Sequence, residues 1–471
     1  KLNEFCEELV QLNVSHNQIR QLDGVPTSIR SLRISHNCLN DLAAWNHLHN
    51  LQYIDVSNNE LESMSAFRSL VHLRGIRADN NKIKSLDGVN QLDGLLSLRL
   101  RGNAVTSIDF QNTMLLRLSD LDMKNNNITD VRNLYCLRSL SALDLEDNRL
   151  SDFSTSEAMG GLRYLKLSGN NLENIDVSMF PNLRLLYLDR NRLNIVSGLL
   201  KTKYLDSLSL REQQDGTVID KSFLSDACEV RKLFLSGNFL GTFEPLVDFL
   251  NLQYLELANC GIETLPDDFG HVVPNTRVLN LNFNALRDIK PLVGIARLKK
   301  LHLAGNRLAR LRSTACVLAQ FPTMSLADLR GNPLTLGFYP AVTESRMVSR
   351  QEMEEEEVQA QDSFTLASAD RGKDDKYVAC LDMETRMLRR VYEVMILSNC
   401  RRIKTLDGLE IHKSLLQSKD KVWEALVQAG VFEPRSGEPG TEKGPGKENA
   451  DSAPKPEKPV EERWPGEDSF A

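Results

Sequence analysis

The stretch Leu121-Asp-Met-Lys-Asn-Asn-Asn-Ile128 decides how this chain is read, because its pattern does not stand alone. Written as L-x-L-x-x-N-x-L, it recurs from Leu12 to Leu334. The sixth position holds Asn17, Asn37, Asn59, Asn81, Asn103, Asn126, Asn148, Asn170, Asn191, Gln213, Asn238, Cys260, Asn284, Asn306 and Asn332. Neighbouring members lie 20 to 26 residues apart, most often 22. Fifteen registered copies do not arise by chance.

A fixed period near 22 with this motif specifies an α/β leucine-rich-repeat solenoid of about 15 repeats. Each L-x-L is a short strand with alternate residues pointing inward, and the stacked strands form a parallel concave sheet. At ~4.8 Å per strand the sheet follows an arc of roughly 70 Å. The Asn sits where the coil bends, and its amide both donates to and accepts from backbone groups that the bend buries. The back half, as in Ile19-x-x-Leu22-x-x-Val25, suits a 3₁₀ turn or extended segment. Cys260 is a permitted replacement for the Asn. Gln213, one methylene longer and followed by a step of 25 residues, predicts a local distortion in Arg211-Glu-Gln-Gln-Asp-Gly216. The long steps after Gln213, Cys260 and Asn306 predict loops or helical turns on the convex side, a helix at 313–320 among them.

The solenoid spans 1–340. Residues 341–376 include Glu352-Met-Glu-Glu-Glu-Glu357 and read as a disordered acidic insertion, a solvated linker rather than a site for a basic partner. A cap with helices occupies 377–411, where Tyr392, Ile396, Cys400, Ile403, Leu406, Asp407 and Gly408 resemble the closing motif of many leucine-rich-repeat domains. A terminal helix is expected at 412–431 and a disordered tail, rich in Gly, Pro, Glu and Lys, at 432–471. The absence of a polar cap before Leu2 predicts further sequence N-terminal to Lys1.

The net charge of −7 argues against a general grip on nucleic acid, which needs a clustered basic surface. Eight dispersed cysteines without a C-x-x-C pair favour a reducing compartment. No apolar run reaches the ~18 residues of a membrane span, so no membrane partner is expected. The chain contains no Gly-rich phosphate loop, no G-x-S-x-G and no His pair at metal spacing. It is therefore read as a non-enzyme without cofactor or metal. His16 and His36 share one repeat position and read as exposed polar residues of a strand row.

Function then falls to the strand face. Arg77, Arg99 and Arg101 form a basic block, and Asp120, Asp122, Asp144, Glu146 and Asp147 an acidic one. These either steer a partner or pair locally. Tyr164, Tyr187, Phe234 and Tyr254 stand at strand positions that should face solvent, with Arg190, Arg211 and Glu212 beside them. Aromatics and Arg dominate interface hot spots, so these seven residues are the candidate protein-binding site. The alternative is that the rings pack on one another along the rows.

The run Leu186-Tyr-Leu-Asp-Arg-Asn-Arg-Leu193, then Leu208-Ser-Leu-Arg-Glu-Gln213, and the closing Trp464-Pro-Gly-Glu-Asp-Ser-Phe-Ala471 resemble a family of fungal spindle-pole-body scaffolds. That family organises the septation initiation (mitotic exit) network and has centriolin as a distant animal relative. The resemblance implies a cytoplasmic docking platform that tethers a small GTPase module and a Mob-associated kinase to the spindle pole. It marks Arg211, Glu212 and Gln213 as family-motif residues. No Ser-Pro or Thr-Pro occurs in the chain, which puts family-type regulation by proline-directed kinases outside it. The other reading of the repeats is a regulatory subunit of protein phosphatase 1, whose repeats are also 22 residues long.

Overall fold

The structure is a computed structural model. It describes residues 2–340 except Asp215, residues 364–411 except Arg401, and Gln428. The expected terminal helix at 412–431, Gln428 apart, and the tail at 432–471 lie outside the described residues, as does the acidic run 352–357.

Each L-x-L becomes a strand of three residues. Fifteen of them, from Gln11–Asn13 to Leu326–Asp328, join one parallel sheet in which each pairs with the strand of the next repeat. Register is set by the central apolar residue: Leu12 faces Leu32, Leu98 faces Leu121, and Leu301 faces Ala327. These centres point inward and, past the partly buried Leu12 of the first coil, are buried, Leu98, Leu165 and Leu208 completely. Strands this short are stable only because every coil buries its apolar side between two neighbours. The backs of the coils are irregular. They carry 3₁₀ turns such as Ser65–Ser69 and Leu199–Lys201 and two small parallel ladders, Ser107–Asp109 with Asp130–Arg132 and Asn174–Asp176 with Ile195–Ser197. The three long steps place helices Phe223–Asp226, Phe269–Val272 and Leu311–Leu318 there. The extra residues thus widen the back while the strand spacing is kept.

The asparagine ladder joins coil to coil. The Asn126 amide donates to Leu100 O at 2.9 Å and Met123 O at 3.0 Å, and its oxygen accepts from Val105 N at 3.2 Å. Gln213 rearranges the ladder locally, its own N–H donating to Asn238 Oδ1 at 3.0 Å where regular coils use the residue two further on, but it keeps the cross-coil bonds. Its longer chain still reaches Leu188 O at 3.0 Å and accepts from Leu193 N at 3.0 Å. What it gives up is its own coil's Leu210 O: its amide donates to Arg211 O at 3.2 Å instead, while Leu210 O keeps the usual cross-coil bond from Asn238 at 2.7 Å.

Two further columns accompany the ladder. The residue immediately before each ladder position is left-handed in all fifteen coils, from His16 (φ 59°) to Gly331 (φ 69°). Ten are not glycine, and Arg190, Glu212 and Phe283 occupy this strained region without the short polar chain that tolerates it. His16 and His36 therefore lie at the bend, not in a strand row, with rings stacked 4.3 Å apart. One residue earlier, a Ser, Asp or Asn often accepts the backbone N–H of the same position in the next coil. Asp79 takes Arg101 N at 3.0 Å, Asp189 takes Arg211 N at 2.8 Å, Ser236 takes Ala258 N at 2.9 Å and Asn282 takes Ala304 N at 2.8 Å.

The C-terminal end of the core is closed by Phe338, Tyr392, Ile396, Cys400, Ile403 and Leu406, all buried. Helix Met383–Asn399 starts at Asp382, whose carboxylate accepts from Thr385 N. Thr405–Leu406 extends the parallel sheet beside Leu326–Asp328, then turns back through Asp407 and Gly408 to pair antiparallel with Leu409–Glu410. Asp407 is fully buried and takes hydrogen bonds from Leu329 N, Tyr392 OH and Tyr339 OH at 2.6, 2.6 and 2.8 Å. The cap also starts earlier in the chain than residue 377. Phe364 to Asp370 lie against the solenoid, and helix Arg371–Cys380 follows directly, with Asp370 as its N-cap.

Candidate protein-docking surface

Only the first and third residues of each strand face outward on the sheet, so the surface reads as two rows. The third-residue row runs Arg77, Arg99, Asp122, Asp144, Lys166, Tyr187, Ser209, Phe234, Glu256 and Asn280. The first-residue row includes Asp120, Tyr164, Leu185, Ser207, Lys232 and Tyr254.

Most of these charges pair with neighbours outside the two blocks, and the blocks meet at Asp122. Asp79 receives Arg99 at 2.8 Å and Arg77 at 3.1 Å, Asp122 receives Arg101 at 2.6 Å, and Asp144 receives Lys166 at 3.4 Å. Glu146 and Asp147 share Lys124 at 3.0 and 3.6 Å. This is the local pairing, not two opposed steering fields. Crowding remains inside it. Burial, with Glu146 and Asp122 adding repulsion, pushes the Asp144 carboxyl up to about 6, and burial raises Asp120.

The seven candidate residues fall into two groups. Tyr164 is 43 % exposed, and Tyr187 is half-buried in the neighbouring coil. Arg190 is exposed at its bend and reaches back two coils to Asp147, at 2.8 Å. This part of the face is open. The second group is closed. Phe234, expected to face solvent, is only 1 % exposed. Its ring lies under the Arg211 guanidinium, 4.4 Å from the centroid, and 4.9 Å from the half-buried Tyr254 ring. Arg211 is itself buried, donating to Glu256 through Nε at 2.7 Å and Nη2 at 3.0 Å. Glu212 is exposed at the left-handed bend. Packing of rings and guanidinium thus consumes Phe234 and Arg211 and half-covers Tyr254, while Tyr164, Tyr187 and Arg190 stay accessible together and Glu212 is exposed beside the packed group.

Sequence reasoning missed Glu256, Asn280, Asn282 and Phe364. Glu256 is fully buried, and burial raises its carboxyl against the pull of Arg211. Its place in the strand row was readable, but its partner lies 45 residues away. Among the described residues no cluster of three or more His, Cys, Asp or Glu could hold a metal ion, and no helix is long and apolar enough to cross a membrane. All eight cysteines are free.

Stacked coils with an Asn ladder and a capped end define a leucine-rich-repeat protein. Leucine-rich-repeat family models match residues 250–308 and 161–183. The fold is shared with a leucine-rich-repeat protein of Leptospira interrogans (TM-score 0.59, 24 % identity, 69 % of this chain and 85 % of that one). It is shared too with YopM of Yersinia enterocolitica (TM-score 0.50, 23 % identity, 69 % and 65 %). Within this class the chain is a relative of the septation initiation network scaffold protein cdc11 of Schizosaccharomyces pombe, 42 % identical over 417 residues. That match takes in 88 % of this chain and 40 % of the curated protein's length.

Proposed function

We propose that this chain is a non-catalytic docking module of a septation initiation network scaffold, acting at the spindle pole body. The observation that carries this reading is the 42 % identity to cdc11 maintained over 88 % of the chain, far beyond what a shared repeat pattern requires. The physical basis is the strand face. A solenoid offers an extended, rigid surface and pays little ordering entropy on binding. On its open part Tyr164, Tyr187 and Arg190 supply the aromatic and guanidinium groups that anchor interfaces. The partners are proteins of the network. The finer assignment, a small GTPase module and a Mob-associated kinase, rests on the same resemblance.

Affinity purification of the full chain from dividing fungal cells tests this. Stoichiometric recovery of network proteins, reduced at least tenfold by Tyr164→Ala with Tyr187→Ala, is the expected result. Recovery of the catalytic subunit of protein phosphatase 1 as main partner would overturn it.

A further inference from the structure

The sheet face is not uniformly open. From Phe364 to Asp370 the chain lies on it, across coils that hold Gly237, Asn280, Asn282 and Arg330. The Phe364 carbonyl accepts two hydrogen bonds, from Asn280 Nδ2 and Asn282 Nδ2, each at 3.0 Å. Three residues on, the Ala367 carbonyl accepts from Arg330 Nη1 at 3.1 Å. Ala369 N then donates to Gly408 O at 2.9 Å, tying the segment to the cap. The Phe364 ring is 3 % exposed and sits above Gly237, where an added Cβ would come within 3.3 Å of Cζ.

The donors are held by contacts within the solenoid itself. Asn280 is held by its own oxygen, which accepts from Asn282 N at 3.0 Å, and Asn282 by Ala304 N at 2.8 Å. Arg330 is held by Asp328 through Nε at 2.9 Å and Nη2 at 2.7 Å. Each therefore presents a fixed donor outward from the sheet. Beneath the segment both asparagines are fully buried, and the Phe364 carbonyl supplies the partner that a buried amide donor requires. Two of these contacts read only main-chain carbonyls, spaced i and i+3, and the third element is a pocket for one ring. That is how a groove recognises an extended peptide: backbone bonds give affinity and one side-chain pocket gives choice.

We propose that the sheet face between Gly237 and Arg330 is a binding groove for an extended peptide with one aromatic anchor, and that Phe364 to Asp370 occupy it as an intramolecular stand-in. A partner peptide bearing Phe or a similar ring engages the groove by displacing this segment, so its affinity is reduced by the fraction of time the groove is filled. The groove is separate from the open surface at Tyr164 and Tyr187, and the proposal does not rest on that surface.

The test uses the full chain and a fluorescein-labelled peptide spanning residues 362–371. Fluorescence anisotropy should show at least tenfold tighter binding to the Phe364→Ala chain than to wild type. Replacing the phenylalanine of the peptide by alanine, or adding Asn282→Leu to the Phe364→Ala chain, should abolish that gain. Equal binding by the two chains, or binding indifferent to the peptide's ring, would overturn the proposal. If Phe364→Ala does not fold, hydrogen exchange on wild type decides. Residues 364–370 should lose protection when the peptide is added to saturation, and unchanged protection would contradict displacement. A wild-type dimer by sedimentation equilibrium that becomes monomeric with Phe364→Ala would make a second copy the occupant and also overturn it.

Discussion

Arg211 and Glu256 meet side-on in the middle of the sheet face, with Nε to Oε1 at 2.7 Å and Nη2 to Oε2 at 3.0 Å, neither group reached by solvent. Two charges taken out of water are tolerable only together. Glu256→Gln should therefore destabilise the chain by about 3–5 kcal/mol, since it leaves the guanidinium buried without a counter-charge. The double replacement Arg211→Met with Glu256→Leu should cost clearly less. Urea denaturation of the three chains checks this, and a single replacement as stable as the double would contradict it.

The rung at Gln213 makes a sharper test of the ladder than any asparagine. Its amide bonds to Leu188 O and Leu193 N repeat what Asn126 does with Leu100 O and Val105 N. Asn126→Leu and Gln213→Leu should then lose similar stability, of at least ~1–3 kcal/mol for the backbone groups left unpaired. Equal urea midpoints for Gln213→Leu and wild type would mean that the glutamine is not a working rung.

Glu212 stands at φ 48°, where an L side chain is crowded by ~1–2 kcal/mol. Glycine adopts that conformation freely and gives back part of the gain as unfolded-state entropy. Glu212→Gly should thus raise stability by ~0.5–1 kcal/mol. Its thermal midpoint should rise, and a fall would show that the Glu212 side chain contributes packing that outweighs the strain.

Several buried carboxyls shape the acid profile, Asp120, Asp189 and Glu256 being raised as well. Burial pushes Asp144 and Asp407 each up to about 6. Both have folded values above the unfolded one near 4. The folded state therefore binds more protons than the unfolded state between pH 4 and 6, and stability contributed by these groups falls as pH rises through that window. Each withholds at most about 3 kcal/mol above pH 6. Asp144→Asn keeps the acceptor for Glu146 N and removes the buried charge. It should flatten the fall and raise stability at pH 7 by ~1 kcal/mol. Denaturation midpoints measured from pH 4 to 7 supply the comparison.

The fold was legible because its cause is local and repeated. The Asn column and the L-x-L strands state the period outright, and the steps of 24 to 26 residues announced where the back of the coil carries helices. The cap was legible for the same reason, in the spacing from Tyr392 to Gly408. The site was half legible. Strand alternation put Tyr164 and Tyr187 outward, and they are. It also put Phe234 outward, and the residues that cover it are not neighbours in sequence. The guanidinium of Arg211 belongs to the coil before, and the Glu256 that fixes it to the coil after. The pairing of Arg99 and Arg101 with Asp79 and Asp122 was within reach, since residues one period apart are adjacent strand neighbours. The contact of Phe364 with Asn280 and Asn282 was not, because more than 80 residues separate them and no periodicity links them.

The account stands most directly on where the open aromatic face takes the protein. The measurement is the position of the fluorescently tagged full chain in dividing fungal cells, with Tyr164→Ala and Tyr187→Ala introduced together and folding checked by thermal denaturation. Both rings are partly exposed, so the double variant should melt within a few degrees of wild type, as surface substitutions do. The account predicts wild-type chain at the spindle poles and a folded variant spread through the cytoplasm. A folded variant that still gathers at the poles with wild-type intensity would contradict it.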